Sequence, residues 1–153
     1  MIRLAIVGIG NCASSLVQGI HYCRDKGADA LGVLFPTLGG YVPGDVEVVA
    51  AFDVDSRKVG RPLREAIFAP PNNTARFHAD VPDNGTVVSA GAVLDGVSSL
   101  MRNAPAARGF TQIDGDGASA DEVVAVLKAA RAEVLISFLP GGSEQASAFY
   151  AQC

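Results

Sequence analysis

The sequence predicts an α/β domain built on a doubly wound parallel sheet, and three observations carry the prediction. An apolar run, Arg3-Leu4-Ala5-Ile6-Val7, ends directly in Gly8-Ile9-Gly10. A helical apolar period follows at once, in Ala13, Leu16, Val17 and Ile20. Strand-like and helix-like segments then alternate along the 153 residues. Alternation of this kind implies right-handed crossovers, a parallel sheet, and ligands at the carboxyl ends of its strands.

The nearly continuous apolar character of the first run suits a strand covered on both faces, the central position of such a sheet. The helix that begins at Asn11 should last roughly four turns and stop at Gly27, just after Lys26. Residues 28–44 hold four glycines and two prolines among scattered apolar residues, and read as an excursion with a short extended piece at Leu31 to Phe35. Val46 to Phe52 is the second strand, leading into Asp53-Val54-Asp55. Pro62 suits a first helical turn, so a short helix is expected through Leu63 to Phe68, stopped by Pro70-Pro71. Asn84-Gly85 should turn the chain into a strand at Thr86-Val87-Val88, and Leu94 to Met101 is read as helical. Ser119 with Glu122 three residues on forms a capping box for a helix to about Arg131. Glu133 to Leu139 is strand-like, Pro140-Gly141-Gly142 breaks it, and Ser143 is placed to cap a last helix through Tyr150. The sequence ends within that helix with no glycine stop and no following strand. Only four or five strands are found where a doubly wound dinucleotide domain normally has six, so residues 1–153 are expected to be a partial domain, cut before its last strands.

Charge and cysteine usage narrow the function classes. Twelve Lys plus Arg against 16 Asp plus Glu leave a net charge of −4, which argues against a nucleic-acid partner. No stretch reaches the ~18 consecutive apolar residues of a spanning helix, and the first strand leaves no room for a signal peptide, so a cytoplasmic protein is expected. Cys12 and Cys23 fall roughly 16 Å apart on one helix at ~1.5 Å rise per residue, too far to bridge. His21 and His78 lack metal-ligand companions, and Asp114-Gly115-Asp116-Gly117 lacks the later ligands of a calcium loop and is read as a flexible turn.

Gly8-Ile9-Gly10-Asn11-Cys12-Ala13 is the G-x-G-x-x-A form of the dinucleotide fingerprint, set between a strand and a helix as the chemistry requires. Gly8 permits the tight turn, Gly10 lets backbone approach a pyrophosphate, and Ala13 keeps the helix close to the sheet. Asn11 and Cys12 lie at the helix's positive end. Asp53 ends the second strand, where a carboxylate accepts from adenosine ribose hydroxyls; its separation from the fingerprint exceeds the usual ~20 residues because of the 28–44 excursion. A carboxylate there favours NAD over NADP, with Arg57 and Lys58 close in sequence as a counterweight, and Asp55 is read as capping the following turn. These features describe a Rossmann-like domain. The turn Pro140 to Ser143 should border the same crevice. Of Lys26, Lys58 and Lys128, none is expected near a strand end with an acid or base partner, and no catalytic constellation is found.

Ala5-Ile6-Val7-Gly8-Ile9-Gly10-Asn11-Cys12-Ala13-Ser14-Ser15 resembles the start of prokaryotic myo-inositol-1-phosphate synthases, also called inositol-3-phosphate synthases. Further blocks agree in order, among them Val49-Ala50-Ala51-Phe52-Asp53-Val54-Asp55, Lys58-Val59-Gly60, Asn72-Asn73-Thr74, Val134-Leu135-Ile136-Ser137 and Phe149-Tyr150-Ala151-Gln152-Cys153. Arg61-Pro62, where the family tends to carry an acidic residue, and the Pro105 to Gly117 stretch depart from the pattern. The resemblance implies an NAD-binding domain of an isomerase that converts glucose 6-phosphate to inositol phosphate by oxidation, enolisation, intramolecular aldol closure and reduction. It further implies a homo-tetramer whose catalytic lysines and tetramer-forming sheet lie outside these residues. Carried over by position, cofactor contacts fall on Gly8, Gly10, Asn11, Cys12, Asp53, Asn73, Pro140, Gly141, Gly142, Ser143 and Tyr150, with no catalytic residue and no metal ligand. A sugar dehydrogenase fragment and a standalone NAD-binding module are the competing readings of the fingerprint.

Overall fold

The computed structural model describes residues 1–97, 99–105 and 107–153. Its strands are β1 (Ile2–Val7), β2 (Val46–Asp53), β3 (Val88–Ala90) and β4 (Val134–Ser137). They form one parallel sheet in the order β3-β2-β1-β4. The helices are α1 (Asn11–Lys26), α2 (Leu63–Ala66), α3 (Ser99–Arg102), α4 (Ala120–Ala129) and α5 (Glu144–Gln152). From β1 the chain builds outward through β2 to β3, then returns to the other side of β1 as β4, so the order reverses beside β1. In an open parallel sheet that reversal opens a crevice outside the strands' carboxyl ends.

Apolar side chains of β1 divide between two layers. Leu4 and Ile6 pack on one face with Ala13, Val17 and Ile20 of α1 and with Leu63, Ala66 and Ile67. Ala5 and Val7 pack on the other with Phe52, Val123 of α4 and Tyr150 of α5. Burial on both faces is why this strand reads as an unbroken apolar run. The pairing of β2 to β1 slips between Leu4 and Ala5, where Leu4 faces Val48 but Ala5 faces Ala50. The extra residue, Val49, is a bulge that shifts the inward phase of β2 by one position. Consequently Val48 and Ala50, two apart, point to opposite layers.

Several segments depart from the sequence expectation for identifiable reasons. Leu31 to Phe35 forms no strand; the excursion's backbone pairing is a single antiparallel bridge between Leu38 and Tyr41. β3 starts at Val88 rather than Thr86, because the Thr86 carbonyl accepts from Leu63 N and Val87 bridges Pro62. α2 is one turn and ends at Ala66, and the helix expected from Leu94 covers Ser99–Arg102 only, Ser98 lying outside the described residues. The turn at Asp114 to Gly117 is tied down, with Val93 N donating to the Asp116 carbonyl and Gly117 bridged to Ala92.

Two helix ends show how local chemistry resolves. The capping box of α4 forms as expected, with Ser119 Oγ accepting from Glu122 N and the Glu122 carboxylate accepting from Ser119 N. At the other end Arg131 takes φ +50° in place of glycine. Ala132 N then donates to the Leu127 carbonyl and Arg131 N to that of Lys128, a Schellman closure. Ser143 stands at the start of α5, yet its hydroxyl donates to the Pro140 carbonyl at 2.6 Å. The capping is done from a distance by Asp95, whose carboxylate accepts from Gln145 N at 2.8 Å and Ala146 N at 2.9 Å. These two backbone donors hold the Asp95 carboxyl below the usual carboxylate range.

Candidate functional site

A cleft of about 360 Å³ opens at the carboxyl ends of the strands, where the order reverses. Its base is the β1–α1 turn, with Val7, Gly8, Gly10 and Asn11. One wall runs from Phe52 through Asp55 to Lys58 and takes in Pro71, Asn72 and Asn73. Ala92, Gly96 and Val97, the Phe138-Leu139-Pro140 exit of β4, Tyr150, Met101, Arg108 and Phe110 complete the lining.

The two fingerprint glycines are required for different reasons. Gly8 has φ +84°, its N–H donates to the Phe52 carbonyl, and a Cβ there would lie 3.2 Å from the Phe138 carbonyl oxygen. The fold itself therefore needs glycine at position 8. At Gly10 φ is −87°, and a Cβ would meet nothing within 4 Å. Among the described residues no packing contact demands glycine here; what glycine leaves is open backbone beside the cleft. The 16-residue helix α1 starts from Gly10 with no side-chain cap and no acidic residue in its first turn, so the helix itself supplies no countercharge at its positive end. Ala13, fully buried, lets α1 sit against the sheet.

Asp53 is held rather than free. Its Oδ1 accepts from Val54 N and Asp55 N, and Oδ2 accepts from Ile9 N at 2.7 Å. An ionised carboxylate offers about four acceptor positions, so these three bonds leave one for a ligand hydroxyl. Asp55 caps its turn as expected: its carboxylate accepts from Arg57 N and grips the Arg57 guanidinium, which also donates to the Gly109 carbonyl.

Lys58 corrects the sequence expectation. It is 3% exposed and lies at the carboxyl end of β2 beside an acid, its Nζ donating to the Ile9 carbonyl at 2.6 Å and to Asn72 Oδ1 at 2.9 Å, with Asp53 Oδ2 at 4.0 Å. Burial lowers its pKa from the usual lysine value, and the charges of Asp53 and Asp55 oppose that shift. Asn72 donates from Nδ2 to the carbonyls of Ile9 and Ile67. Asn11 turns its amide to the neighbouring loop, where Oδ1 accepts from Asn73 N and the Thr74 hydroxyl and Nδ2 donates to Asn73 Oδ1.

Of the sequence-predicted contacts, Gly8, Gly10, Asn11, Asp53, Asn73, Pro140 and Tyr150 border this one cleft. Cys12, Gly141, Gly142 and Ser143 do not line it: the first three are exposed, and Ser143 is buried with its hydroxyl on Pro140. Tyr150 is buried against Phe52 and Phe149, and its hydroxyl accepts from Ala92 N at 3.1 Å. Burial raises its pKa. Sequence reasoning missed Lys58 and Asn72, which the strand and helix periods leave as ordinary loop residues. The lone signal for them was their place inside Lys58-Val59-Gly60 and Asn72-Asn73-Thr74.

No protein-family model matches the chain. Among curated proteins it is 48% identical over 154 residues to the inositol-3-phosphate synthase of Mycolicibacterium smegmatis, 45% over 154 residues to that of Mycobacterium tuberculosis H37Rv and 45% over 153 residues to that of Corynebacterium glutamicum. Each match takes in 99% of this chain and 40% of the relative. The crystal structure of Ari2 superposes with a TM-score of 0.77 at 34% identity, covering 99% of this chain and 41% of that one. A myo-inositol-1-phosphate synthase-related protein from Thermotoga maritima superposes with a TM-score of 0.64 at 20% identity, over 91% of this chain and 34% of its own, a likeness of fold. The chain is thus similar over nearly its whole length to curated inositol-3-phosphate synthases, and it spans about 40% of the length of those relatives.

Proposed function

We propose that the chain is the NAD-binding portion of an inositol-3-phosphate synthase, an isomerase that converts D-glucose 6-phosphate to 1L-myo-inositol 1-phosphate in the cytoplasm as a homo-tetramer. The observation that carries the reading is the turn at Gly10: open backbone, at the uncapped positive end of a 16-residue helix, in a cleft at the point where strand order reverses. The residues fit the cofactor. Gly8, Gly10 and the first turn of α1, with Asn11 and Cys12, would hold the pyrophosphate, and the remaining acceptor position of Asp53 would take one adenosine ribose hydroxyl. Asn73, Tyr150 and Pro140, which line the cleft, are the further contacts proposed, and Gly141, Gly142 and Ser143 shape the turn behind Pro140. NAD bound there supplies a hydride acceptor for oxidation of the sugar and, once reduced, the donor that returns the hydride.

The chain's own residues bind and orient. Asp53 lines the cleft, and the cations beside it are engaged by the protein: Arg57 by Asp55 and the Gly109 carbonyl, Lys58 by the Ile9 carbonyl and Asn72. That charge arrangement disfavours a 2′-phosphate, so NAD is expected over NADP. Calorimetric titration of both nucleotides against the folded chain tests this. Saturable binding with NAD preferred is the expected result; equal binding of NADP removes the role given to Asp53, and binding of neither by a folded chain overturns the proposal. Net NADH production from an alcohol substrate would instead favour a sugar dehydrogenase.

A further inference from the structure

Both polar groups of a single backbone residue in the fingerprint turn are gripped by side chains from outside it. Ile9 N–H donates to Asp53 Oδ2, and the Ile9 carbonyl accepts from Lys58 Nζ at 2.6 Å and Asn72 Nδ2 at 3.0 Å. Lys58 also donates to Asn72 Oδ1, so the two donors to that carbonyl hold each other in place. Ile9 itself is fully buried, its side chain packed in the core layer beneath α1.

The geometry points to Lys58, with Asn72, as a clamp that orients the β1–α1 turn for a diphosphate, making Lys58 a positioning residue for cofactor binding rather than a ligand contact. In a planar trans peptide the carbonyl and the next N–H lie on opposite sides. Drawing the Ile9 carbonyl toward Lys58 and Asn72 therefore turns the Gly10 N–H away from them, immediately before the unpaired N–H groups of the first turn of α1. Gly10 has an open flank and little intrinsic preference of its own; without the clamp this peptide is free to rotate. A buried ammonium is costly unless fully partnered, and two hydrogen bonds with Asp53 nearby partner it here.

The inference rests on the cofactor reading above, and its test separates the two. Lys58→Met keeps the aliphatic stem and removes the donor and charge. NAD and ADP, which share the diphosphate, are titrated against this variant and the unaltered chain, and amide hydrogen exchange is followed without ligand. Both nucleotides should bind about tenfold more weakly, with faster exchange from Ile9 to Ala13 and unchanged exchange in α4, while Lys58→Arg should recover part of the affinity. Unchanged affinity, unchanged exchange at Ile9 and Gly10, or a loss for NAD that spares ADP overturns the clamp. If Lys58→Met does not fold, Asn72→Ala removes the second donor to the same carbonyl and must show the same pattern in weaker form; wild-type behaviour there refutes the clamp equally. Should the unaltered chain bind neither nucleotide, the cofactor reading fails, and the exchange data still decide whether Lys58 sets the turn.

Discussion

At Gly10 and Asp53, neighbouring positions of one cleft, substitution should have different consequences for folding. Gly10→Val places a side chain where φ is negative and no atom stands within 4 Å, so the melting temperature should hardly move. The same side chain fills the space a pyrophosphate would need, and NAD binding should be lost. Asp53→Ala, by contrast, strands three backbone N–H donors at Ile9, Val54 and Asp55. It should lower stability as well as weaken NAD by roughly 1–3 kcal/mol. Calorimetry with a thermal melt on both variants checks this. A Gly10→Val chain that binds normally, or an Asp53→Ala chain with full affinity, would remove those residues from the site.

Among the elements, helix ends hold most of what local chemistry can still improve or disturb. Arg131 closes α4 at φ +50°, a conformation glycine adopts without steric cost. Arg131→Gly should therefore raise stability by about 1 kcal/mol, read from denaturant midpoints at constant slope. The carboxylates that cap α4 and α5 make stability depend on pH. Backbone donation from Gln145 and Ala146 lowers the Asp95 pKa, and donation from the Ser119 backbone and hydroxyl lowers that of Glu122. The unfolded chain thus binds more protons than the folded one near these values. Stability from both caps is complete above the unfolded pKa values and is lost as pH falls through the lowered folded ones. An Asp95→Asn, Glu122→Gln double variant should accordingly show a flatter stability profile from about pH 5 to about pH 3.

For the molecule as a whole, a ligand seated on the turn at the end of β1 touches the central strand of the sheet, so its binding should stabilise the entire domain. NAD at 100 times its dissociation constant should add about 2.7 kcal/mol, seen as a rise in melting temperature that grows with the logarithm of concentration. NADP at the same concentration should give a smaller shift, and an equal one would contradict the charge argument made from Asp53.

Much of this architecture was legible in the residues, because it rests on local physics. The apolar run of β1, the helical period from Asn11 to Lys26 and the Ser119–Glu122 box each concern neighbours within a few residues, and each forms where the pattern places it. The fingerprint was legible too, since Gly8 answers a backbone angle and Gly10 an open flank. What the residues did not show are interactions that join distant positions. Asp95 caps a helix 50 residues away, and Val49 bulges out of register against β1. Lys58 and Asn72 meet at a carbonyl 49 and 63 positions behind them. No periodicity encodes such pairs, because the partners come within reach only when the crossover from β1 to β2 closes the sheet. The sequence by itself determined the fold class and the place of the turn; the tertiary structure decided what holds that turn in shape, since a buried charge reveals its role only through the partners that folding brings to it.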